Sequence, residues 1–285
     1  MILVTGAGGT VGSALVKALG DARARFRVAY HSKQKAEKAR AAGQDTAVLD
    51  FARPETLAPA LAGVDKVFLL GATTEDQAER ETSAVREAKK AGVQHLVKLS
   101  AWEAAKEHYG FARVHRKVEK EVEASGLAWT FLRPNCFMQN TGNYFAGTIK
   151  SQGAFYQPTG DARVSQVDVR DIAAVAAKAL TEAGHAGKAY DLSGPKALSW
   201  GEVAETIGKA IGKPLKYVPV SDEDGRKGML AAGIPGFYVE LLLDLYRFYR
   251  SNGGADRVSP AVPQVVGRPP ISFERYVRDH VELFR

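Results

Sequence analysis

Short apolar runs alternate with amphipathic stretches along most of the chain. Seven of these runs have the length and apolar content of strands, and they cover 2–5, 26–30, 46–49, 66–70, 95–100, 128–132 and 188–192. Helical patterns lie between them, and one carries Ala84, Val85 and Ala88 on one face before ending at Gly92. Strict alternation indicates parallel strands with right-handed crossovers and helices on both faces of the sheet. The pattern therefore predicts an α/β chain with a doubly wound parallel-sheet Rossmann fold.

The first predicted strand leads into a glycine-rich turn in which Gly6, Gly9 and Gly12 are spaced three apart. In such a turn the first glycine permits a sharp bend, the second lets a diphosphate approach the backbone, and the third lets the helix pack closely. The helix N-terminus presents unpaired N–H groups and the positive end of its dipole. We therefore predict that these glycines, with Thr10 and Val11, bind the pyrophosphate of a dinucleotide. The alternative is a strand-turn-helix with no ligand.

Two segments do not follow the alternation. One is rich in aromatic residues, and the other is a helix-rich tail with a single strand at 215–220. The tail begins with a capping box formed by Ser199 and Glu202, whereas Asp168 caps a helix of the main domain. Repeated Gly and Pro through 251–270 predict a loop. We predict a discontinuous Rossmann domain and a smaller, mostly helical C-terminal substrate lobe, made respectively of 1–134 with 161–195 and of 135–160 with 196–285.

The composition is ordinary for a globular protein of 285 residues, with 45% hydrophobic and 25% charged residues. The single cysteine, Cys136, excludes an internal disulfide, fits a reducing compartment and is interpreted as a packing residue. The longest apolar run, 237–248, is interrupted by Glu240, Asp244 and Arg247, which favours a buried helix over a membrane span. We therefore expect a soluble, cytoplasmic protein with no leader segment.

The net charge of +7 raises the question of a nucleic-acid partner. The cations are scattered, however, and they alternate with acidic residues, as in 116–121, which is typical of a solvated helix face. No nucleic-acid-binding motif accompanies them, so the excess charge is better explained by an anionic cofactor. We predict no nucleic-acid partner, no membrane partner and no metal site, and the sequence leaves a homodimer open.

The residues after the second predicted strand bear on the choice of dinucleotide. An NAD-selective site places Asp or Glu there, but this chain has His31, Ser32, Lys33 and Lys35, and the first acid is Glu37 in the next helix. A carboxylate repels a ribose phosphate, whereas hydroxyl, imidazole and ammonium groups hold one. We therefore favour NADP(H) over NAD(H). The alternative is a hydrophilic surface turn.

Two further strand ends are predicted to contact the cofactor. Asp50 and Phe51 follow the third strand, where a carboxylate and a ring can meet the adenine. Gly71, Ala72 and Thr73 follow the fourth, where small residues let the backbone approach the ribose. An ordinary strand-exit loop is the alternative in both cases.

Three motifs join the glycine turn in suggesting a family. They are Leu-Arg-Pro-Asn-x-Phe-Met-x-Asn at 132–140, Asp-Val-Arg-Asp-Ile-Ala at 168–173 and Ile-Ser-Phe-Glu-x-Tyr-Val-Arg-Asp-His at 271–280. Together they resemble the NmrA-like atypical short-chain dehydrogenase/reductases. The resemblance implies NAD(P)H binding in a family that includes quinone, azo-dye and triphenylmethane reductases. It also includes redox-sensing regulators that bind the cofactor without turning it over.

Typical short-chain dehydrogenases carry Tyr-x-x-x-Lys on the helix after the fifth strand, with the tyrosine as general acid. The corresponding helix here has His115 and Glu119, which share one face. Either Glu119 orients the imidazole or raises the pKa of His115, which then donates a proton, or the two form a helix-surface ion pair. Ser100 ends the fifth strand where the parent group keeps a catalytic serine, and it completes the set of catalytic candidates.

The missing tyrosine restricts the chemistry. An unactivated ketone becomes an alkoxide that needs an acid, whereas a quinone or cationic dye gives a delocalised product that water can protonate. The protein then needs to hold two flat π systems in contact, and Trp102, Phe137, Tyr144 and Tyr238 are candidate walls or, alternatively, core residues. We hypothesise an NADPH-dependent reductase that passes hydride to a quinone, an azo or triphenylmethane dye, or an iminium compound. The alternative is a non-catalytic NADP(H)-sensing regulatory protein.

Overall fold

The computed structural model describes residues 1–251 and 253–285. Within these ranges the chain forms eleven strands: β1 (Ile2–Val4), β2 (Phe26–Tyr30), β3 (Thr46–Val48), β4 (Lys66–Leu69), β5 (His95–Leu99), β6 (Ala128–Pro134), β7 (Ala154–Gln157), β8 (Arg163–Val164), β9 (Lys188–Leu192), β10 (Leu198–Ser199) and β11 (Lys216–Pro219). The same ranges form twelve α-helices: α1 (Thr10–Asp21), α2 (Lys33–Ala41), α3 (Leu57–Leu61), α4 (Gln77–Lys90), α5 (Gly110–Ser125), α6 (Gln139–Gln152), α7 (Val169–Thr181), α8 (Trp200–Ile211), α9 (Asp222–Ala231), α10 (Gly236–Arg250), α11 (Ala261–Val266) and α12 (Phe273–Asp279).

Two compact units share the chain, and the first comprises 1–105, 114–133 and 172–190. It is built on a seven-stranded parallel sheet with the order β3-β2-β1-β4-β5-β6-β9. Strand β1 pairs in parallel with β2 on one side and with β4 on the other, so the strand order reverses at β1. All seven predicted strands form, and the doubly wound Rossmann architecture is confirmed. Ligands of such folds bind beyond the carboxyl ends of the strands, at the point where the order reverses.

The apolar positions of the first unit are buried as the periodicity predicts. In α1, Val11, Leu15 and Leu19 recur every four residues and lie in the interior. A separate cluster of buried side chains is formed by sheet and helix residues such as Leu3, Leu69, Val85, Leu96 and Phe131. Each fully buried leucine side chain contributes about 2 kcal/mol to the hydrophobic free energy of folding. The strand ends that carry the candidate site are therefore fixed by a packed interior.

The second unit comprises 106–113, 134–171 and 191–285. It contains two small sheets: β7 pairs in parallel with β11, and β8 pairs antiparallel with β10. Its core includes the buried rings of Phe155, Trp200, Phe273, Tyr276 and Phe284. The predicted capping box forms, since Ser199 Oγ accepts from the Glu202 N–H at 3.2 Å and Glu202 Oε2 accepts from the Ser199 N–H at 2.8 Å.

The units differ from the predicted division at 106–113, 134, 161–171 and 191–195, all of which belong to the second unit. Backbone pairing accounts for the largest difference. Phe137 forms an isolated bridge with Val167, and the Ser165 N–H donates to the Ala255 carbonyl at 2.9 Å. These non-local contacts tie 161–171 to its own unit, and no local pattern in the sequence encodes them.

Two predictions about the tail have different outcomes. The run 237–248 lies in α10, as predicted, and no described helix is both long and apolar enough to cross a membrane. The loop predicted over 251–270 is wrong in part, because α11 forms within it, although Asn252 lies outside the described residues. Pro260 and Pro263 flank the start of this helix, where a missing N–H leaves no intrahelical bond unmade.

Candidate functional site

The glycine turn between β1 and α1 has a close-packed geometry. Gly6 has φ +63°, and a Cβ atom there would lie 2.9 Å from the Leu70 carbonyl oxygen. A Cβ atom on Gly12 would lie 2.1 Å from the Gly6 carbonyl oxygen, which excludes any other residue. The Gly9 N–H donates to that same carbonyl at 3.0 Å. The turn therefore requires glycine at both of its ends.

Helix α1 begins at Thr10, and no side chain caps the N-terminus that follows Gly9. The Val11 side chain is buried while Thr10 is exposed, so Val11 can offer a ligand its backbone N–H and not its side chain. Uncapped N–H groups at the positive end of a helix dipole favour an anion. The predicted phosphate-binding residues are thus brought together, and they fit the pyrophosphate of a dinucleotide.

The end of β2 lies beside a surface groove of about 520 Å³ in the first unit. Among the predicted residues, His31 and Lys33 line the groove, Lys35 does not, and Ser32 caps α2 by accepting from the Lys35 N–H at 3.4 Å. The groove also contains Arg40 and Arg53, which the sequence reasoning missed, together with the acidic side chains of Glu37, Asp50 and Glu55. Arg53 could have been found, because it closely follows β3, the strand that pairs with β2.

The other residues predicted to contact the cofactor, at the ends of β3 and β4, differ in burial and in their partners. Asp50 Oδ1 accepts from the Ala52 N–H at 2.9 Å, and Phe51 packs against the core of the first unit. Ala72 and Thr73 are exposed. Gly71 is required by a neighbour in the protein, because a Cβ atom there would lie 2.9 Å from Glu81 Oε1. Its small size is therefore explained without a ligand.

A buried ion pair lies behind Gly71, and no local pattern in the sequence indicates it. Lys98 Nζ of β5 lies 2.5 Å from Glu81 Oε2 of α4, and both side chains are inaccessible to solvent. Glu81 Oε1 also accepts from the Gly71 N–H and from Gln77 Nε2, while Lys98 donates to the Leu99 carbonyl. Each member of the pair thus has hydrogen-bond partners beyond the other, which a buried charge requires.

The Glu119 carboxylate is fully buried and engaged by three side chains. Ser100 Oγ donates to Oε1 at 2.7 Å, Arg133 donates from Nε at 2.9 Å and from Nη2 at 2.8 Å, and Arg116 donates at 3.0 Å. Burial alone would raise the pKa of Glu119, but the hydrogen bonds from Arg133 and Ser100 outweigh it and lower this pKa below its usual value. Glu119 is therefore ionised, and the Ser100 hydroxyl hydrogen is engaged in the hydrogen bond to its carboxylate.

The structure does not contain the predicted His115–Glu119 pair. Burial, reinforced by the charge of Lys98, lowers the pKa of His115 well below its usual value. Its Nδ1 atom is buried without a hydrogen-bond partner. Both interpretations of the pair are therefore wrong: Glu119 does not raise the pKa of His115, and a neutral imidazole forms no ion pair. The helical spacing correctly placed His115 and Glu119 on one face of α5, but Arg133 and Ser100 donate the hydrogen bonds that the Glu119 carboxylate accepts.

The four candidate substrate walls lie in different environments. Trp102 is 2% exposed and belongs to the interior, and Phe137 is half-buried. Tyr144 is 52% exposed, and half-buried Tyr238 makes an edge-on contact with Phe111 at a centroid distance of 5.8 Å. Burial is the main cause that raises the pKa of Tyr238, and the neighbouring Tyr144 phenol adds to it. Tyr144 and Tyr238 are therefore brought together within the second unit.

Cys136 lies in the same phenol-rich part of the second unit. Burial raises the pKa of the Cys136 thiol to about 11, with hydrogen bonds to Tyr249 and Asn140 opposing that shift. Burial likewise raises the pKa of Tyr246 and of Tyr249. The thiol therefore stays protonated at neutral pH, which agrees with a packing residue and not with a nucleophile.

Comparison with known proteins gives consistent results across the whole chain. A family model described as "NmrA-like family" matches residues 1–274. The chain is 39% identical over 285 residues to an NAD(P)H azoreductase of Xenophilus azovorans, covering all of this chain and 99% of that protein. It is 37% identical to a (4-alkanoyl-5-oxo-2,5-dihydrofuran-3-yl)methyl phosphate reductase of Streptomyces griseus, covering 100% of this chain and 99% of that protein.

A solved structure shows the same fold. The NADPH complex of an NADPH-dependent quinone oxidoreductase from Escherichia coli superposes with a TM-score of 0.89 at 27% identity. The match covers 99% of this chain and 100% of that one. Similarity of this extent places the two chains in one architecture from end to end.

Proposed function

This chain belongs to the NmrA-like family and is an NAD(P)H-dependent oxidoreductase, and from that premise we propose that it reduces electron-poor conjugated acceptors, quinones first and azo compounds second, with NADPH. When bound, NADPH supplies a hydride, which carries two electrons. A quinone that receives it becomes a delocalised oxyanion, and a proton from water completes the hydroquinone. The glycine turn and the uncapped start of α1 hold the pyrophosphate.

One observation carries this choice of acceptor: neither His115 nor Glu119, the two candidate acids on the helix that follows β5, offers a proton at neutral pH. His115 is neutral, and Glu119 is ionised and fully engaged by Ser100, Arg116 and Arg133. An acceptor that would become a localised alkoxide needs an acid beside it, whereas a quinone does not. The chain's own groups therefore favour acceptors that spread the negative charge over a π system.

The test is a steady-state assay of NADPH oxidation against a panel of acceptors. The panel contains substituted 1,4-benzoquinones, azo dyes, triphenylmethane dyes and, because of the Streptomyces griseus relative, a conjugated lactone. We expect quinones to give the highest kcat/KM. No oxidation of NADPH above background with any acceptor would refute the enzyme proposal. The regulatory alternative is not favoured, because relatives that match the whole chain are named as reductases.

NADPH is proposed as the preferred cofactor, and the groove beside β2 supports the proposal. His31, Lys33, Arg40 and Arg53 can surround a ribose phosphate there, and exposed ion pairs with Glu37 and Glu55 are weak enough to be displaced. The acidic residues at the groove would disfavour the phosphate, so a direct measurement is decisive.

Calorimetry with NADPH and NADH on the wild type, Lys33→Ala and Arg53→Ala tests the cofactor preference. We expect each variant to bind NADPH about tenfold more weakly than the wild type and to bind NADH with unchanged affinity, since only NADPH carries the ribose phosphate. Lys38→Ala is the control, because Lys38 lies on α2 but not in the groove. Equal affinities of the wild type for both cofactors would end this proposal. A homodimer and a cytoplasmic location remain predictions from the sequence.

A further inference from the structure

Helix α5 is fixed against the carboxyl end of β5 by the bond between Ser100 and Glu119. In a doubly wound sheet this edge faces the ligands. His115 lies four residues before Glu119 on α5 and therefore on the same face, one turn closer to the start of the helix. The imidazole is thus held beside a ligand-facing edge by a network that leaves Glu119 no capacity to contact it.

Within residues 1–251 and 253–285 His115 makes no hydrogen bond, and its Nδ1 atom is buried. A half-buried polar ring with no partner is uncommon, because unpaired polar groups destabilise a fold. A buried N–H without an acceptor is the rarer form of such a group. The hydrogen of the neutral ring therefore belongs on Nε2, which leaves an N–H donor without an acceptor in the protein.

The Ser100 hydroxyl also lies at this strand end, but it cannot donate a hydrogen bond to a ligand. Its hydrogen is directed to the ionised and fully buried Glu119 carboxylate at 2.7 Å, in a charge-assisted hydrogen bond. Ser100 retains only lone pairs. A ligand oxygen that acquires negative charge needs a donor, so it can be served by His115 and not by Ser100.

We propose that the His115 imidazole donates a hydrogen bond, and no proton, to the acceptor oxygen on which negative charge develops. The inference rests on the proposed quinone reduction. Hydride adds to the acceptor, the carbon–oxygen double bond opens toward an oxyanion, and Nε2–H stabilises that oxyanion while keeping its hydrogen. Water then supplies the proton. The same contact gives nothing to a triphenylmethane cation, whose reduction creates no anionic oxygen.

The experiment compares the wild type with His115→Phe, which removes the donor, and His115→Asn, which keeps an N–H donor that cannot ionise. Lys117→Gln is the control, because Lys117 lies on α5 with its side chain 62% exposed. We expect His115→Phe to lower kcat/KM for a 1,4-benzoquinone by about 10- to 100-fold and to leave that for a triphenylmethane dye within about twofold. His115→Asn recovers part of the loss.

The pH profile separates a hydrogen-bond donor from an acid. We expect the quinone kcat/KM of the wild type to be level between about pH 6 and about pH 9, since the imidazole is neutral throughout. Lys98 of β5 is the charged group whose field acts on this ring, and Glu119 shares its face of α5 one turn away. A rate that falls as pH rises through the usual histidine range, and that becomes level in His115→Asn, would overturn the proposal in favour of an imidazolium acid.

A binding measurement makes the inference independent of turnover. The probe is 4-nitrophenol, whose phenolate absorbs visible light, titrated with protein in the presence of NADP+. We expect the wild type to bind the phenolate form at least about tenfold more tightly than His115→Phe. Loss of this difference overturns the inference even when quinones are reduced. A retained difference without any NADPH oxidation upholds the donor and refutes the proposed function.

Discussion

Ser100 donates its hydroxyl hydrogen to Glu119 across 2.7 Å, and so joins the end of β5 to the middle of α5. The same carboxylate accepts from Arg133 at the end of β6. A residue from each of three successive elements of the first unit therefore meets at one buried charge.

Replacing Glu119 with Gln is expected to lower the free energy of unfolding by about 3 kcal/mol, because charge-assisted bonds are lost and Arg133 keeps a poorly paired charge. Ser100→Ala is expected to lower it by about 1 kcal/mol. Urea denaturation measures both. Glu123→Gln is the control, because Glu123 is another ion-pair partner of Arg116 but its side chain is 34% exposed. We expect this variant to lower the free energy of unfolding by less than about 1 kcal/mol. Equal losses in Glu119→Gln and Glu123→Gln would contradict the assigned role.

Gly12→Ala is expected to destabilise the turn and to weaken NADPH binding more than about tenfold. The added methyl carbon would overlap the Gly6 carbonyl oxygen at 2.1 Å, so the turn or α1 has to move. Gly8→Ala is the matched control in the same turn, because nothing lies within 4 Å of a Cβ atom there. Calorimetry and thermal denaturation of both variants check the prediction. Unchanged NADPH affinity in Gly12→Ala would show that the turn does not hold the cofactor.

A double-mutant cycle on Lys98 and Glu81 is expected to show strong coupling. Lys98→Met or Glu81→Gln alone leaves one buried group without its partner and should lower the free energy of unfolding by about 3–5 kcal/mol. The double variant should recover at least about 2 kcal/mol of the summed loss. The exposed Lys17–Asp21 pair is the control, with coupling below about 0.5 kcal/mol. Additive losses at Lys98 and Glu81 would count against a buried pair.

Acid sensitivity is expected to depend on His95. Burial is the main cause that lowers the pKa of His95 from 6.5 to about 4, with the charge of Lys66 as the second cause. A lowered histidine pKa in the fold means that its contribution to stability is complete above about pH 6.5 and is lost as pH falls toward 4. The imidazole Nε2 lies 2.9 Å from Thr130 Oγ1. Between about pH 6.5 and pH 4 the unfolded chain binds a proton at His95 more readily than the folded chain, so the free energy of unfolding decreases over this interval.

Denaturation of the wild type and His95→Gln between pH 7 and pH 4 measures this effect. The wild type should lose up to about 3 kcal/mol that the variant does not lose. His31→Gln is the control, because the His31 side chain is 80% exposed. Identical pH dependence in the wild type and His95→Gln would disprove the assignment.

The strands of the first unit could be predicted because parallel strands covered on both faces are continuous apolar runs. The glycine turn could also be predicted, because the close packing at Gly6 and Gly12 admits only glycine and so appears directly as a spacing of glycines in the sequence. Strands β8 and β10 were missed, since two residues each carry no periodicity. Their pairing depends on contacts between distant parts of the second unit.

The candidate site was predicted only where a local pattern determines it. Helical spacing placed His115 and Glu119 on one face, but it could not show that Arg133 and Ser100 take the carboxylate. Gly71 was assigned to a ligand because the partner that excludes a side chain there, Glu81, is ten residues away on another element. Which side chains bind a buried carboxylate depends on residues from several elements that meet in the fold, whereas helical spacing identifies only the candidate partners on the same helix.

The pair formed by Glu81 and Lys98 restricts how this protein can diverge. A lineage that replaces either residue first must survive with a lone ion in its interior, whereas a lineage that replaces both together keeps a neutral core. Descendants should therefore differ at the two positions jointly or not at all. Where one partner changes alone, we expect a third substitution close by to have supplied the missing charge.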